Sequence, residues 1–197
     1  MKAPIPLGIL LFDNVEVLDF AGPFEVFSLA KHSQGGNAFA VTTLSETGKP
    51  VTACNGLVVL PTASFDTAPD FEVLIVPGGY GARVEQVNNP AVLDWLKVQA
   101  GKTKLIASVC TGAFLLAKAG LLEGRAATTH WAHTDELKQA YPELEVRPHV
   151  KFVDQGKIIS SGGISAGINM SFYIVKKLVG RAEALATTRQ MEYDIVL

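Results

Sequence analysis

The chain has 197 residues, of which 48% are hydrophobic and 18% are charged, against roughly 25% charged residues in an average soluble domain. Its 17 Lys and Arg residues nearly balance its 19 Asp and Glu residues, and this low net charge together with the high hydrophobic content excludes a disordered chain. The absence of a basic excess gives no support for binding to nucleic acid or to an anionic membrane. No apolar run approaches the ~20 residues of a bilayer-spanning helix, so we expect one folded domain over residues 1–197.

The pattern of apolar residues predicts alternating strands and helices. Residues 7–12 form a continuous apolar run, typical of a strand buried on both faces, and Pro23 suits the first turn of a helix over residues 21–31. The later elements are predicted in this order: a strand at 38–45, a hairpin at 51–60, a strand at 73–76, a helix at 90–101, a strand at 105–109, a helix at 112–119, a strand at 126–129, a helix at 132–141, a hairpin at 150–161, and a helical region from 165 to the end, interrupted near Gly180. This alternation predicts an α/β domain with a mostly parallel sheet covered by helices on both faces.

The chain has two cysteines, Cys54 and Cys110, which are too few for a disulfide framework in a chain of this length. No extended apolar stretch with a cleavage site precedes the first predicted strand. We therefore expect a protein of the cytoplasm, a reducing compartment. Cys54 lies in the hairpin segment and is interpreted as a packing residue.

Cys110 stands between a predicted strand and a predicted helix, with the small residues Ser108 and Gly112 two positions away on either side. A nucleophile elbow needs this pattern, because its sharp turn crowds the neighbouring side chains and exposes the central one. A thiol at a helix N-terminus also has its pKa lowered by the free N–H groups and the helix dipole. The alternative is a buried, unreactive cysteine that fills space.

Two other strand ends carry unusual residues. Gly78 and Gly79 follow the strand at 73–76, where backbone N–H groups can face a ligand and stabilise negative charge. Asp19 lies among apolar neighbours past the first strand; in an apolar pocket beside a thiolate its pKa would rise, so that it could hold or deliver a proton. A plain turn at the glycines and a helix N-cap role for Asp19 are the simpler alternatives.

The four histidines give weaker signals. His130 follows a short predicted strand and either faces the same pocket or is structural, while His32, His133 and His149 are assigned no role. No His, Cys and carboxylate cluster has the spacing of metal ligands, and no phosphate-binding or dinucleotide-binding glycine motif occurs. We therefore expect neither a metal nor an organic cofactor.

Five motifs, in order, resemble those of the ThiJ/PfpI family, which is related to class I glutamine amidotransferases. They lie at residues 18–27, 77–79, 108–113, 127–131 and 161–167. Within the family the chain most resembles isonitrile hydratases and the amidotransferase-like sensor domain of AraC-type regulators. The resemblance implies a flavodoxin-like three-layer sandwich, a homodimer and a small neutral organic substrate.

Transferred residue by residue, the resemblance implies that Cys110 is the nucleophile and Asp19 the acidic residue facing it, with the amides of Gly79 and Thr111 lining the oxyanion-type site. Protease-like members have His where this chain has Thr111, which disfavours peptidase activity. No His follows His149, so the late His-x-Glu pair of glutamine amidotransferases is missing. Relatives have Asp where this chain has Asn169, which removes any charge at that position.

The leading hypothesis is hydration of an isonitrile to an N-substituted formamide, with Cys110 as nucleophile and Asp19 as general acid and base. One alternative is a non-catalytic domain that senses a small molecule. Another is a thiol stress protein or glyoxalase-like enzyme, whose cysteine would oxidise readily. AraC-type relatives carry a DNA-binding module after the last motif, and the chain ends at Leu197, so direct DNA binding is not expected.

Overall fold

A seven-stranded sheet forms the centre of the computed structural model, which describes residues 2–197. The strands are β1 Ile5–Leu10, β2 Phe39–Ser45, β3 Val51–Thr52, β4 Val58–Val59, β5 Ala63–Ser64, β6 Val73–Val76, β7 Leu105–Ser108, β8 Ala126–Ala127, β9 Glu145–Val146, β10 Phe152–Asp154 and β11 Ile158–Ser161. The order in the main sheet is β10-β11-β7-β6-β1-β2-β5, and every neighbouring pair is parallel except β10–β11. β3 pairs with β4, and β8 with β9, in two small further sheets.

Six α-helices complete the fold of residues 2–197. They are α1 Val17–Leu29, α2 Pro90–Lys102, α3 Gly112–Lys118, α4 Thr134–Ala140, α5 Ala166–Leu178 and α6 Arg181–Gln190. α1, α5 and α6 pack together, and α2 packs against α3, so that helices flank the sheet as the predicted sandwich requires. The strands β6 and β7 are buried along their whole length, as their continuous apolar sequences predict. No helix in residues 2–197 is long and apolar enough to cross a membrane.

The connections of the central strands place a crevice next to β1. The chain passes from β1 to β2 and β5 on one side and then continues to β6, β7 and β11 on the other side. Strand order therefore reverses between β1 and β6. In open α/β sheets, ligands bind beyond the carboxyl ends of the strands at such a point. The loops after β1, β6 and β7 meet there.

Two predicted helices differ from the observed ones. α1 begins at Val17 rather than at residue 21, so Pro23 lies inside the helix and not in its first turn. The earlier start is fixed by tertiary contacts, because the backbone N–H of Glu16 donates to the Gly78 carbonyl oxygen at 2.9 Å. The helix predicted at 132–141 is a short turn at Trp131–His133 followed by α4. The predicted break near Gly180 is confirmed, and it separates α5 from α6.

Candidate active site

Cys110 joins the end of β7 to α3 through a backbone turn of the nucleophile-elbow kind. Its φ is 56°, in the left-handed region that residues with a side chain rarely adopt. Its N–H donates to the carbonyl oxygens of Ser161 and Gly162, each at 3.2 Å, and these bonds hold the turn in place. A Cβ atom at Gly112 would clash with the carbonyl oxygen of Val76, so only glycine fits at the first position of α3.

Asp19 lies in the first turn of α1, where Glu16 is the N-cap residue, so the alternative of an N-cap role for Asp19 is wrong. The carboxyl is fully buried, and its Oδ2 accepts a hydrogen bond from the Gly78 N–H at 3.0 Å. Burial and, secondarily, the charge of Glu16 raise the pKa of Asp19 to about 7, against the opposing effect of hydrogen bonds from Gly78, Cys110 and the Ile164 N–H. Asp19 therefore exchanges a proton near neutral pH.

The environment of Cys110 differs from the expectation of a lowered pKa. The side chain is only 6% exposed, and burial, followed by the charge of Asp19, raises the pKa of the Cys110 thiol. The backbone N–H groups of Thr111 and Ile164 oppose this rise, as does the Thr111 hydroxyl. Two adjacent negative charges are unfavourable here, so a thiolate at Cys110 requires that Asp19 hold its proton.

The backbone N–H groups of the two glycines are already paired, contrary to their predicted role. The Gly78 N–H donates to Asp19, and the Gly79 N–H donates to the Thr111 hydroxyl at 2.9 Å. The same hydroxyl donates to the Gly79 carbonyl oxygen at 3.1 Å. Neither glycine amide is therefore free for an oxyanion. The amides that act on the sulfur of Cys110 are those of Thr111 and Ile164.

Ile164 is a site residue that the sequence patterns did not reveal. Its φ is 53°, an unusual value for a β-branched side chain, and its N–H lowers the pKa of both Asp19 and Cys110. The strained conformation lies in the segment between β11 and α5, inside the last of the five motifs. Gly162 and Gly163 precede the position in sequence, but the pattern does not predict a functional role for Ile164 itself.

A cavity of about 300 Å³ opens over Cys110. It is lined by Glu16, Cys54, Gly79, Tyr80, Arg83, Cys110, Thr111, His130, His133 and Ile164. Asp19 does not line this cavity: its carboxyl is fully buried under the loop that follows β6 and contacts the Cys110 side chain. Cys110 is therefore open to the cavity and in contact with a carboxyl that is not itself exposed to the cavity. A larger cleft of about 460 Å³ near His32 and α6 contains neither cysteine.

His130 lines the cavity, as one of its two predicted roles requires. Its Nδ1 accepts a hydrogen bond from the Ala132 N–H at 3.3 Å, so the neutral ring carries its proton on Nε2. Burial and the neighbouring His133 lower the pKa of His130, and the charge of Glu16 opposes them. The neutral ring is therefore a hydrogen-bond donor toward a bound molecule.

Cys54 and His133 also line the cavity, although Cys54 was interpreted as a packing residue and His133 was assigned no role. The Cys54 thiol donates to the Asn14 carbonyl oxygen at 3.2 Å and forms part of the wall. His133 follows His130 by one turn, a spacing that could have signalled a shared face. No group of three or more His, Cys, Asp or Glu residues within residues 2–197 is arranged to hold a metal ion.

The sequence pattern of the DJ-1/PfpI family matches residues 7–177. The chain belongs to the DJ-1/PfpI family. Among curated family relatives, isonitrile hydratase of Pseudomonas putida is 36% identical over 190 residues, covering 96% of this chain and 78% of that protein. The HTH-type transcriptional regulator GbdR of Pseudomonas aeruginosa is 30% identical over 98% of this chain, which spans only 52% of the regulator.

A solved structure supports the DJ-1/PfpI fold. The crystal structure of a ThiJ/PfpI family protein from Pseudomonas syringae superposes with a TM-score of 0.88 at 27% identity, covering 100% of this chain and 78% of that one. The predicted flavodoxin-like three-layer architecture is thereby confirmed. The family includes enzymes, regulators and DJ-1 proteins, so family membership alone does not select among these functions.

Proposed function

We propose that this DJ-1/PfpI protein hydrates an isonitrile to an N-substituted formamide. The observation that carries the proposal is the pairing of Cys110, held at an elbow beneath an open cavity, with a fully buried Asp19 whose pKa of about 7 suits proton transfer. The isonitrile hydratase relative, 36% identical across nearly the whole chain, supports the choice of reaction. A small neutral substrate fits a cavity of about 300 Å³.

The reaction proceeds in two steps. The Asp19 carboxylate first takes the proton of the Cys110 thiol. The resulting thiolate attacks the terminal carbon of the isonitrile while Asp19 passes that proton to the same carbon, which gives a thioimidate, S–CH=N–R. Water then adds to the same carbon and supplies a hydroxyl to carbon and a proton to nitrogen. The C–S bond breaks, the formamide leaves, and the last proton returns to Asp19. Cys110 is again a thiolate, so atoms and charge balance without any cofactor.

Turnover of an alkyl isonitrile by purified protein tests the proposal. Wild-type protein should form the matching formamide, detected by NMR, and Cys110→Ala should form none while keeping its circular dichroism spectrum. His32→Gln, altered near α6 and outside the cavity over Cys110, is the matched control. Formamide production by Cys110→Ala at the wild-type rate would show that the mechanism is wrong.

A sensor domain is the second candidate, and the similarity to GbdR over 98% of this chain favours it. In a sensor the cavity would bind a small molecule without converting it. Calorimetric binding of an isonitrile to wild-type protein, with no formamide produced and no adduct on Cys110, would select this function over the hydratase.

We also propose a homodimer, because apolar side chains are exposed close to the cavity. Leu57, Val58 and Leu60 are 49%, 62% and 68% exposed, in the segment that follows Cys54. The Cys54 N–H donates to the Val15 carbonyl oxygen, which joins this segment to the start of α1. Light scattering should report twice the chain mass, and Val58→Glu should reduce it to one chain mass. A wild-type monomer at micromolar concentration would contradict the dimer.

A further inference from the structure

The second step of the proposed reaction lacks a base on the side where water enters. Asp19 is fully buried, its Oδ2 is engaged by the Gly78 N–H, and it is not among the residues that line the cavity. A thioimidate on Cys110 would extend into the cavity. A water molecule that attacks its carbon from the cavity therefore meets no exposed atom of Asp19. A general base must lie within hydrogen-bond reach of the water.

Five titratable side chains face the cavity together with Cys54 and Cys110: Glu16, Tyr80, Arg83, His130 and His133. Tyrosine and arginine keep their protons at neutral pH and are donors. The neutral His130 ring carries its proton on Nε2, because its Nδ1 accepts from the Ala132 N–H. That leaves His133 and Glu16 as groups that can accept a proton from water.

His133 has the arrangement of an oriented base. Its Nδ1 lies 2.9 Å from Oε2 of Glu136 in α4. A carboxylate only accepts hydrogen bonds, so Nδ1 must carry a proton, and in the neutral ring Nε2 then keeps its lone pair. Oε1 of Glu136 is held in turn by Nη1 of Arg83 at 3.1 Å. A carboxylate that fixes the tautomer of a histidine beside a nucleophile is a recurrent way to prepare a base.

We infer that His133 is the general base for hydrolysis of the Cys110 thioimidate, and that Glu136 is its positioning residue. The inference rests on the proposed hydratase function and extends it. Nε2 of His133 takes one proton from the attacking water while the hydroxide oxygen bonds to the thioimidate carbon. His133 passes this proton to the nitrogen. As the C–S bond breaks, the remaining hydroxyl proton leaves through Nε2 of His133 to solvent, and Asp19 regains from solvent the proton it gave in the first step. Asp19 keeps its role in the first step.

The two steps predict different defects, which intact-protein mass spectrometry separates. With n-butyl isonitrile, His133→Ala should form the Cys110 adduct at the wild-type rate, with a mass gain equal to the whole isonitrile. The adduct should then hydrolyse ~10²- to 10⁴-fold more slowly, the usual contribution of a general base. Added imidazole should restore part of the rate in His133→Ala, which a purely structural defect would not permit.

Further variants keep the inference falsifiable. Glu136→Gln should slow hydrolysis of the adduct ~10-fold and leave its formation unchanged, since His133 remains but is no longer oriented by a charge. His32→Gln should hydrolyse the adduct as wild type does. Hydrolysis at the wild-type rate by His133→Ala would overturn the inference, as would trapping of the adduct by Glu16→Gln instead. If wild-type protein forms neither adduct nor formamide, the hydratase proposal itself fails.

Discussion

Replacing Asp19 with Asn should make the protein more stable at neutral pH, by an amount that grows with pH. The carboxyl is fully buried, and its folded-state pKa is about 7, against its usual value of 3.8. Between these pH values the folded protein holds a proton that the unfolded chain has released. Stability therefore falls as pH rises through this window, at about 1.4 kcal/mol per pH unit. The interval of about three pH units corresponds to ~4 kcal/mol.

Urea unfolding of wild type and Asp19→Asn at pH 4.5, 5.5, 6.5 and 7.5 measures this difference. Subtraction of the two free energies of unfolding cancels the titration of other groups, because both proteins share them. Asn keeps an acceptor for the Gly78 N–H but cannot ionise. The free energy of unfolding of Asp19→Asn, relative to wild type, should rise steeply up to pH 7 and then level off. A difference that stays constant across the range would refute a carboxyl titrating near neutrality at this site.

Three further predictions concern the turn at Cys110 and the walls of the cavity. Thr111→Val leaves the Gly79 N–H without its acceptor and should cost ~1–3 kcal/mol in urea unfolding, whereas Thr111→Ser should recover most of the loss. Gly112→Ala places a Cβ against the Val76 carbonyl oxygen, so we expect ~1–3 kcal/mol of destabilisation and a lower melting temperature; a fully stable variant would contradict the elbow geometry. Cys54→Phe should narrow the cavity and raise KM for an alkyl isonitrile at least ~10-fold, which corresponds to about 1.4 kcal/mol of lost binding free energy, whereas Cys54→Ser should change KM far less.

Local patterns were enough to predict the central strands and the position of the thiol. β6 and β7 are short apolar runs bounded by Gly, Pro or polar residues, and buried parallel strands have this composition. The small residues around Cys110 predicted a strand, a sharp turn and a helix, and the positive φ at Cys110 agrees with that geometry. The strands and the turn depend on residues that are close together in sequence, so they can be predicted from the sequence alone.

The partners of each polar group could not be predicted in the same way. The sequence places Gly78 and Gly79 where free amides are useful, but Asp19 and Thr111, 59 and 32 residues away, accept those hydrogen bonds. The pKa of Cys110 was expected to fall because of its helix, yet burial beside Asp19 raises it. Hydrogen-bond partners and pKa shifts of this kind depend on contacts between segments that are far apart in sequence. The local pattern of apolar residues does not predict those contacts.

The cavity is formed by parts of the molecule that differ in local stability, with Cys110 on one part and residues 131–133 on the other. Cys110 is attached to β7, which lies between β6 and β11 in the middle of the sheet, whereas His133 belongs to a three-residue turn. Amides at Val109 and Cys110 should therefore exchange with solvent only through global unfolding, and those of residues 131–133 through local opening. Substitutions at residues 131–133 can then change which molecules enter the cavity without moving the sulfur of Cys110.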